Sequence, residues 1–183
     1  KARIKILVHE TGLEALKAQI EDEFTTQQRL LPDLNPKIVD RVRQSFADPA
    51  FKDTEFDPNT PQSPALRAFI HTNTRAHKRA DHASVTVSIK PIGGTPGDAT
   101  SDQMRALAAI AETYAYDELR ISHEQNVILP HVHRADLPAV YTALHEARLA
   151  TANVGLISDI IACPGMDYCA LATARSIPIA QQI

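Results

Sequence analysis

The sequence predicts an α+β fold whose elements follow the order β-α-β-β-α. Residues Ser84 to Lys90 alternate polar and apolar side chains, a pattern typical of a strand with one buried face. A helix-spaced apolar face follows over residues 104 to 114, and a polar four-residue turn then separates two further short strands. A right-handed crossover, a hairpin and a last helix would place both helices on one face of the sheet. The elements predict a ferredoxin-like half-unit.

The composition is that of one globular domain with extensions. The chain has 183 residues, 44% hydrophobic and 22% charged, with a net charge of -3. That charge gives no reason to expect a nucleic-acid or anionic membrane partner. No apolar run approaches the ~20 residues that a membrane span requires. Because no signal peptide opens the chain, we expect a cytoplasmic protein.

Two segments precede the half-unit. Residues 1–24 predict a strand over Ile4 to Val8 and then a helix, with Thr11 and Glu14 as a capping box. Residues 25–64 contain six prolines and predict a connector. Its one expected helix runs from Pro36 to Phe46 with Asn35 as cap. The polar stretch 48–63 predicts a mobile loop.

The half-unit is assigned to residues 65–149. Its basic start, residues 71–79, favours a solvated loop over an anion site. Asp98 or Thr100 is expected to cap the first helix. The expected core is one set of apolar side chains from three strands and two helices: Val85, Val87, Ile89, Met104, Leu107, Ile110, Leu119, Ile121, Leu137, Val140 and Leu144.

Both cysteines lie in the last segment, residues 150–183, as Cys163 and Cys169. A strand is expected to lead into Cys163, Pro164-Gly165 predicts a turn, and the small residues from Cys169 predict a helix start. The helix dipole would stabilise the negative charge of a thiolate at that position, and cysteine thiolates are the ligands of iron–sulfur clusters. A cluster normally takes four thiolates, so this pair is half a set. The spacing alone is also compatible with two buried free thiols, and less so with a disulfide.

The longer sequence around the two cysteines resembles the first cysteine motif of the sirohaem/[4Fe–4S] nitrite and sulfite reductases. This stretch reads ACPGMDYCALATARSIPI. In that family a second pair, Cys-x3-Cys, follows some forty residues later. Residues 1–24 likewise resemble the segment that closes the family's first cofactor domain. The resemblance implies that residues 65–149 are the second ferredoxin-like half and that residues 150–183 begin the second cofactor domain.

The resemblance implies a six-electron, proton-coupled reduction of sulfite or nitrite at sirohaem iron, fed through the adjoining cluster. Cys163 and Cys169 would ligate the cluster. The expected partners are the remainder of the reductase and a flavoprotein or ferredoxin electron donor. We expect this 183-residue piece to bind neither cofactor and to be inactive. Its apolar tail should either be disordered or mediate self-association.

The hairpin tip, residues 123–126, is a further candidate. Such tips are usually solvated, but Arg120 and Ser122 lie beside it, and the family carries a related motif at the sirohaem edge. The resemblance therefore implies Gln125 and Asn126 as sirohaem neighbours. Three histidines could be metal ligands but are more often surface residues: His131, His133 and His145.

Two other functions remain open. The α+β unit could be a stand-alone ligand-binding or regulatory module with structural cysteines, which a Cys-x3-Cys farther along the reading frame would contradict. The pair could also be a redox switch with a reversible disulfide, which thiol titration would test.

Overall fold

The computed structural model describes residues 3–31 and 35–183. Lys1 and Ala2 of the first predicted segment, and Pro32 to Leu34 of the connector, lie outside the described residues. The chain divides into two compact units, the first ending at Asp48 and the second beginning at Pro49. No helix of the described ranges combines the length and the apolar character that crossing a membrane requires.

The first unit is helical. It contains α1 (Ile4–Thr11), α2 (Leu13–Gln28) and α3 (Pro36–Gln44). The strand predicted over Ile4 to Val8 is wrong, because no strand of the described residues pairs with it and a helix satisfies its backbone groups locally. The predicted capping box is wrong too, since Gly12 caps α2 without a side-chain hydrogen bond. The Asn35 cap of α3 is confirmed by its bond from the Lys37 backbone N–H.

The second unit contains a four-stranded antiparallel sheet. Its strands are β1 (Thr74–Ala76), β2 (His82–Val87), β3 (Arg120–Ile121) and β4 (Val127–His133), in the order β1-β2-β4-β3. Its helices are α4 (Pro64–Asn73), α5 (Ser101–Tyr114) and α6 (Leu137–Glu146). The predicted β-α-β-β-α order is therefore present as β2-α5-β3-β4-α6. The sequence did not predict β1, and it predicted α4 only as an apolar stretch.

Helix α5 begins at the capping box that Thr100 and Gln103 form. This resolves the choice between Asp98 and Thr100 in favour of Thr100. The predicted core members that the structure buries in a single cluster are Val85, Val87, Ile89, Leu107, Ile110, Leu137, Val140 and Leu144.

Three members of the predicted core are wrong. Met104, Leu119 and Ile121 are exposed, and Ile121 is 73% exposed. They line an open groove of about 750 Å³ between α5 and the hairpin. Since β3 is a two-residue edge strand, its side chains have no helix above them. The alternating pattern placed Leu119 and Ile121 on the same face of the strand, but it could not predict whether another element covers that face.

The last segment has little regular structure. A 3-10 turn at Gly165–Asp167 and the short helix α7 (Ile177–Ala180) are its regular elements in the described chain. The strand predicted from Thr151 to Ile161 and the helix predicted from Cys169 are both wrong, and turns occupy these positions. Asn73, at the end of α4, nevertheless donates to the carbonyls of Thr86 and Thr151, both at 3.0 Å, and so ties the segment to the sheet.

Candidate functional site

The hairpin tip between β3 and β4 is held by its own hydrogen bonds. The Ser122 hydroxyl accepts from the backbone N–H groups of Glu124 and Asn126, both at 3.2 Å. Gln125 has a left-handed backbone with φ of 59°, which side chains other than glycine adopt at a cost of about 1 kcal/mol. This conformation lets the tip present Gln125 and Asn126 side by side.

Gln125 grips the backbone just before the first cysteine. Its side-chain Nε2 donates to the Ala162 carbonyl at 2.9 Å, and its Oε1 accepts from the Ala162 N–H at 3.1 Å. One side-chain amide thus satisfies both backbone groups of one residue, as a neighbouring strand would. The backbone that leads into Cys163 is therefore fixed against the tip.

Asn126 joins two parts of the chain. It is buried, its Oδ1 accepts from the Ile89 N–H at 3.2 Å, and its Nδ2 donates to Asp159 Oδ1 at 3.0 Å. The same Asp159 oxygen accepts from Lys90 Nζ at 2.8 Å, and the Lys90 and Asp159 side chains are 1% and 8% exposed. A buried ion pair therefore lies under the tip, between the end of β2 and the cysteine-bearing segment.

Asp159 is ionised within this network. Burial opposes ionisation, but hydrogen bonds from Asn126, Lys90 and the Gly155 N–H outweigh it and hold the Asp159 pKa below its usual value. Asn153 completes the surround, since its Nδ2 donates to the carbonyls of Lys90 and Ser158. We call Lys90, Gln125, Asn126 and Asp159 the latch.

The two cysteines follow the latch on a tight loop. Cys163 is exposed, Cys169 is half-buried, and both are free thiols. Ser176 Oγ donates to the Cys163 carbonyl, and the Cys169 N–H donates to the Gly165 carbonyl at 2.9 Å. Gly165 has φ of +60°, and a Cβ there would lie 2.7 Å from Ser176 Oγ, so glycine alone fits.

The surface around the thiols is apolar and uncovered. The exposed side chains that flank the pair are Ile161, Met166, Tyr168 and Leu171. Two thiols on a fixed loop, with apolar neighbours open to one side, have the donor chemistry of one half of an iron–sulfur site. Cluster ligation by Cys163 and Cys169 remains a prediction, as does sirohaem contact by Gln125 and Asn126.

Lys90, Asn153 and Asp159 were not predicted from the sequence. A lysine at the end of an alternating strand looks like a solvent-facing terminus, and its partner lies 69 positions away. Arg120, beside the tip, is exposed as expected, and its Nε donates to Glu118 Oε1 at 2.6 Å.

Four histidines form a second cluster on the opposite part of the sheet. His82, His131 and His133 are buried, so the expectation of surface histidines is wrong for His131 and His133 and right for His145. His77 Nε2 lies 2.9 Å from His131 Nδ1. Burial and the neighbouring His131 and His82 lower the pKa of His77.

The 49–63 stretch, predicted as a mobile loop, is fastened to this cluster. The Phe51 ring packs on four rings, with centroid distances of 4.9 to 5.6 Å: His77, His82, Tyr116 and His131. The Lys52 N–H donates to Tyr116 Oη at 2.7 Å, and its Nζ pairs with Asp136 at 3.0 Å.

Three ligand-type groups of this cluster, Asp81, His82 and His133, have metal-site spacing. Their atoms are largely engaged, however. Arg79 contacts both Asp81 oxygens, at 3.1 and 2.7 Å, and with His82 it holds the Asp81 pKa far below its usual value. The two His82 nitrogens contact Asp81 and Tyr116. A guanidinium on the carboxylate also opposes a second cation, so the cluster fits a structural role better than a metal site.

The fold and the latch define a class: an α+β ferredoxin-like half domain that carries a cysteine loop on its hairpin tip. Comparison with protein families makes this specific. Residues 77–147 match the nitrite/sulfite reductase ferredoxin-like half domain. The matched range includes the sheet strands β2 to β4 and helices α5 and α6. Residues 77–147 are therefore similar to this half domain of the nitrite/sulfite reductases, and the resemblance seen in the sequence is confirmed.

Curated relatives agree with this assignment. The chain is 34% identical over 91 residues, 48% of its length, to the ferredoxin–nitrite reductase of Synechococcus elongatus, and covers 18% of that protein. It is 32% identical over 170 residues, 92% of its length, to the chloroplastic ferredoxin–nitrite reductase of Arabidopsis thaliana, and covers 24% of it. The Spinacia oleracea protein of the same name is 22% identical over the whole chain, which covers 27% of it. The chain thus spans about a quarter or less of these relatives.

Proposed function

We propose that this chain supplies a ferredoxin-like half domain and one cysteine pair to a sirohaem/[4Fe–4S] reductase of nitrite or sulfite. The names of the relatives favour nitrite as substrate and ferredoxin as electron donor. The observation that carries the proposal is the link from Gln125 to Ala162, which joins the matched half domain to the residue before Cys163.

In this proposal the chain's residues divide the work. Cys163 and Cys169 would bind the cluster as thiolates, and the latch holds the loop that bears them. Gln125 and Asn126 act on the cofactor site through the backbone of residues 159–162, and both also line the open groove as candidate sirohaem neighbours. The cofactors, when bound, supply the electron transfer and the oxyanion reduction.

The test replaces each thiol in the complete polypeptide that contains this sequence. Cys163→Ser and Cys169→Ser should each abolish the iron–sulfur electron paramagnetic resonance signal and nitrite reduction. Met166→Leu, an exposed neighbour on the same loop, is the matched control and should retain both. Full cluster content in either serine variant would overturn the assignment of that cysteine.

The 183-residue chain alone should be colourless and inactive. It offers two thiols, whereas a [4Fe–4S] cluster takes four. Reconstitution with iron and sulfide, followed by visible absorption spectroscopy, checks this. Near-stoichiometric cluster or sirohaem absorbance in the isolated chain would contradict it.

A further inference from the structure

We infer that the latch formed by Lys90, Gln125, Asn126 and Asp159 positions Cys163 so that it can bind one metal centre jointly with Cys169. The inference rests on the proposed function only for the identity of the bound group, so the experiment below uses a different thiophilic metal as its probe.

The first support is the position of the polar contacts in the sequence. Side chains from the end of β2 and from the hairpin tip reach Asp159 and Ala162, the residues just before Cys163. Beyond Ser176, which bonds the Cys163 carbonyl, the chain is again exposed. The latch therefore fixes the N-terminal end of the cysteine loop, and Ser176 closes the loop on itself.

The second support is the cost of the arrangement. Burying a lysine and an aspartate removes both charges from water, and such pairs are often no more stabilising than apolar residues of similar size. Gln125 adds a left-handed backbone, and Asn126 has both ends of its amide occupied. These features fix one geometry rather than maximise stability, and what they fix is the entry to Cys163.

The third support is that the other hydrogen bonds from the segment to the domain lie farther from Cys163: Asn73 bonds the Thr151 carbonyl, and Gln181 Nε2 lies 3.5 Å from Thr95 Oγ1. The exposed apolar side chains around the thiols contribute little packing in the described structure. Backbone bonds within the loop, such as Met166 N–H to the Ala174 carbonyl at 3.0 Å, set its shape but not its place on the domain. The place is set by the latch.

The experiment measures joint metal binding by the two thiols of the full 183-residue chain. The probe is Cd²⁺ alone, followed by the ultraviolet thiolate-to-cadmium absorption, which histidine binding does not produce. The wild type should bind one Cd²⁺ through both thiols, and Cys163→Ser and Cys169→Ser should each remove half of the thiolate absorption per cadmium.

Gln125→Ala should weaken Cd²⁺ binding at least tenfold. Gln125→Glu keeps an acceptor for the Ala162 N–H, so its Cd²⁺ affinity should lie between those of the wild type and Gln125→Ala. The matched control is Gln103→Ala, which also removes a glutamine that donates to a backbone carbonyl, that of Ala147. The control should lose some stability and leave the Cd²⁺ affinity within twofold of wild type.

Hydrogen exchange at Ala162 shows that the change acts where intended. Faster exchange there in Gln125→Ala, with unchanged exchange at buried Ala111, identifies a local release and excludes unfolding. Cd²⁺ affinity within twofold of wild type in a variant whose Ala162 amide is released would overturn the inference. So would wild-type binding through a single thiol. Neither result depends on whether the complete protein reduces nitrite.

Discussion

The half domain at residues 77–147 and the segment at residues 150–183 are held by opposite means. In the half domain, helices α5 and α6 bury apolar side chains against the sheet, and Val85, Val87, Leu129, Val140 and Leu144 are fully enclosed. In the segment, apolar side chains such as Leu171, 89% exposed, stay on the surface, and polar side chains of the half domain provide the attachment.

The difference shows how the segment can be held on the half domain while the apolar surface around its two thiols stays exposed. Attachment by apolar packing would have buried the side chains that surround the thiols. The latch instead bonds backbone groups and one carboxylate, so those apolar side chains stay exposed. The predictions below test whether polar attachment and apolar packing are separable in this way.

The largest effect is expected at the buried ion pair. Asp159→Ala leaves Lys90 buried without its carboxylate and should lower the free energy of unfolding by about 3–5 kcal/mol. Chemical denaturation measures it. The double variant Lys90→Met/Asp159→Leu should recover part of the loss, because it removes both charges but still leaves the buried Asn126 amide without its acceptor. A single variant within 1 kcal/mol of wild type would show that the pair is hydrated in solution.

Apolar packing is expected to matter in one region and not in the other. Leu107→Ala, in the core, should cost about 2–5 kcal/mol, because it leaves a cavity. Leu171→Ala, in the segment, should change the free energy of unfolding by less than about 0.5 kcal/mol. Equal losses in the two variants would mean that Leu171 is covered in solution, by a second copy of the chain or by the domain itself.

Acid should weaken the histidine cluster before it weakens the latch. The His77 pKa is lowered from 6.5, so the folded state favours the neutral ring, and its contribution is complete above pH 6.5 and falls as pH decreases below it. The Asp159 pKa is lowered from 3.8, so its contribution is complete above that pH and is lost only at lower pH. His77→Gln should flatten the first decrease in a pH series of unfolding measurements.

His123 provides the control for this pH series, because its side chain is 90% exposed. His123→Gln should leave the pH profile unchanged. A profile for His77→Gln that still falls below pH 6.5 as steeply as wild type would assign the effect to another group.

The smallest loss of an observed contact is expected at the Tyr116 hydroxyl, which fastens the 49–63 stretch beside Phe51. Tyr116→Phe removes the bond to His82 and the acceptor for the Lys52 N–H, and should cost about 0.5–1.5 kcal/mol. Limited proteolysis near residue 52 should become faster, with the Leu107 core unaffected. Unchanged cleavage would show that Phe51 packing alone holds this stretch.

The sequence predicted the half domain well because its signals are periodic and local. The alternation around Val85 and Val87, the Thr100 capping box and the α6 face all arise from residues a few positions apart. The signal failed where cover depends on a partner element, as at Ile121 on the edge strand. Whether an apolar face meets a helix is a property of the topology, not of the alternation.

The site was only half predictable. The cysteine pair and Gln125-Asn126 were singled out through the family wording, and the structure brings the two groups together at Ala162. Lys90 and Asp159 were not found, because a buried ion pair over a separation of 69 residues leaves no local pattern. A lysine directly after three inward-facing apolar residues was the one available hint.

Lys90 also constrains the order in which the molecule can be completed. Strand β2, the hairpin and helices α5 and α6 are all synthesised before Asp159 leaves the ribosome, and until then the ammonium at the end of β2 has no buried counter-ion. The half domain, as residues 77–147 delimit it, ends before that carboxylate. We therefore expect Lys90 to become buried only when the cysteine-bearing segment packs on the half domain. Folding of the half domain would then be completed in the same step that places the two thiols.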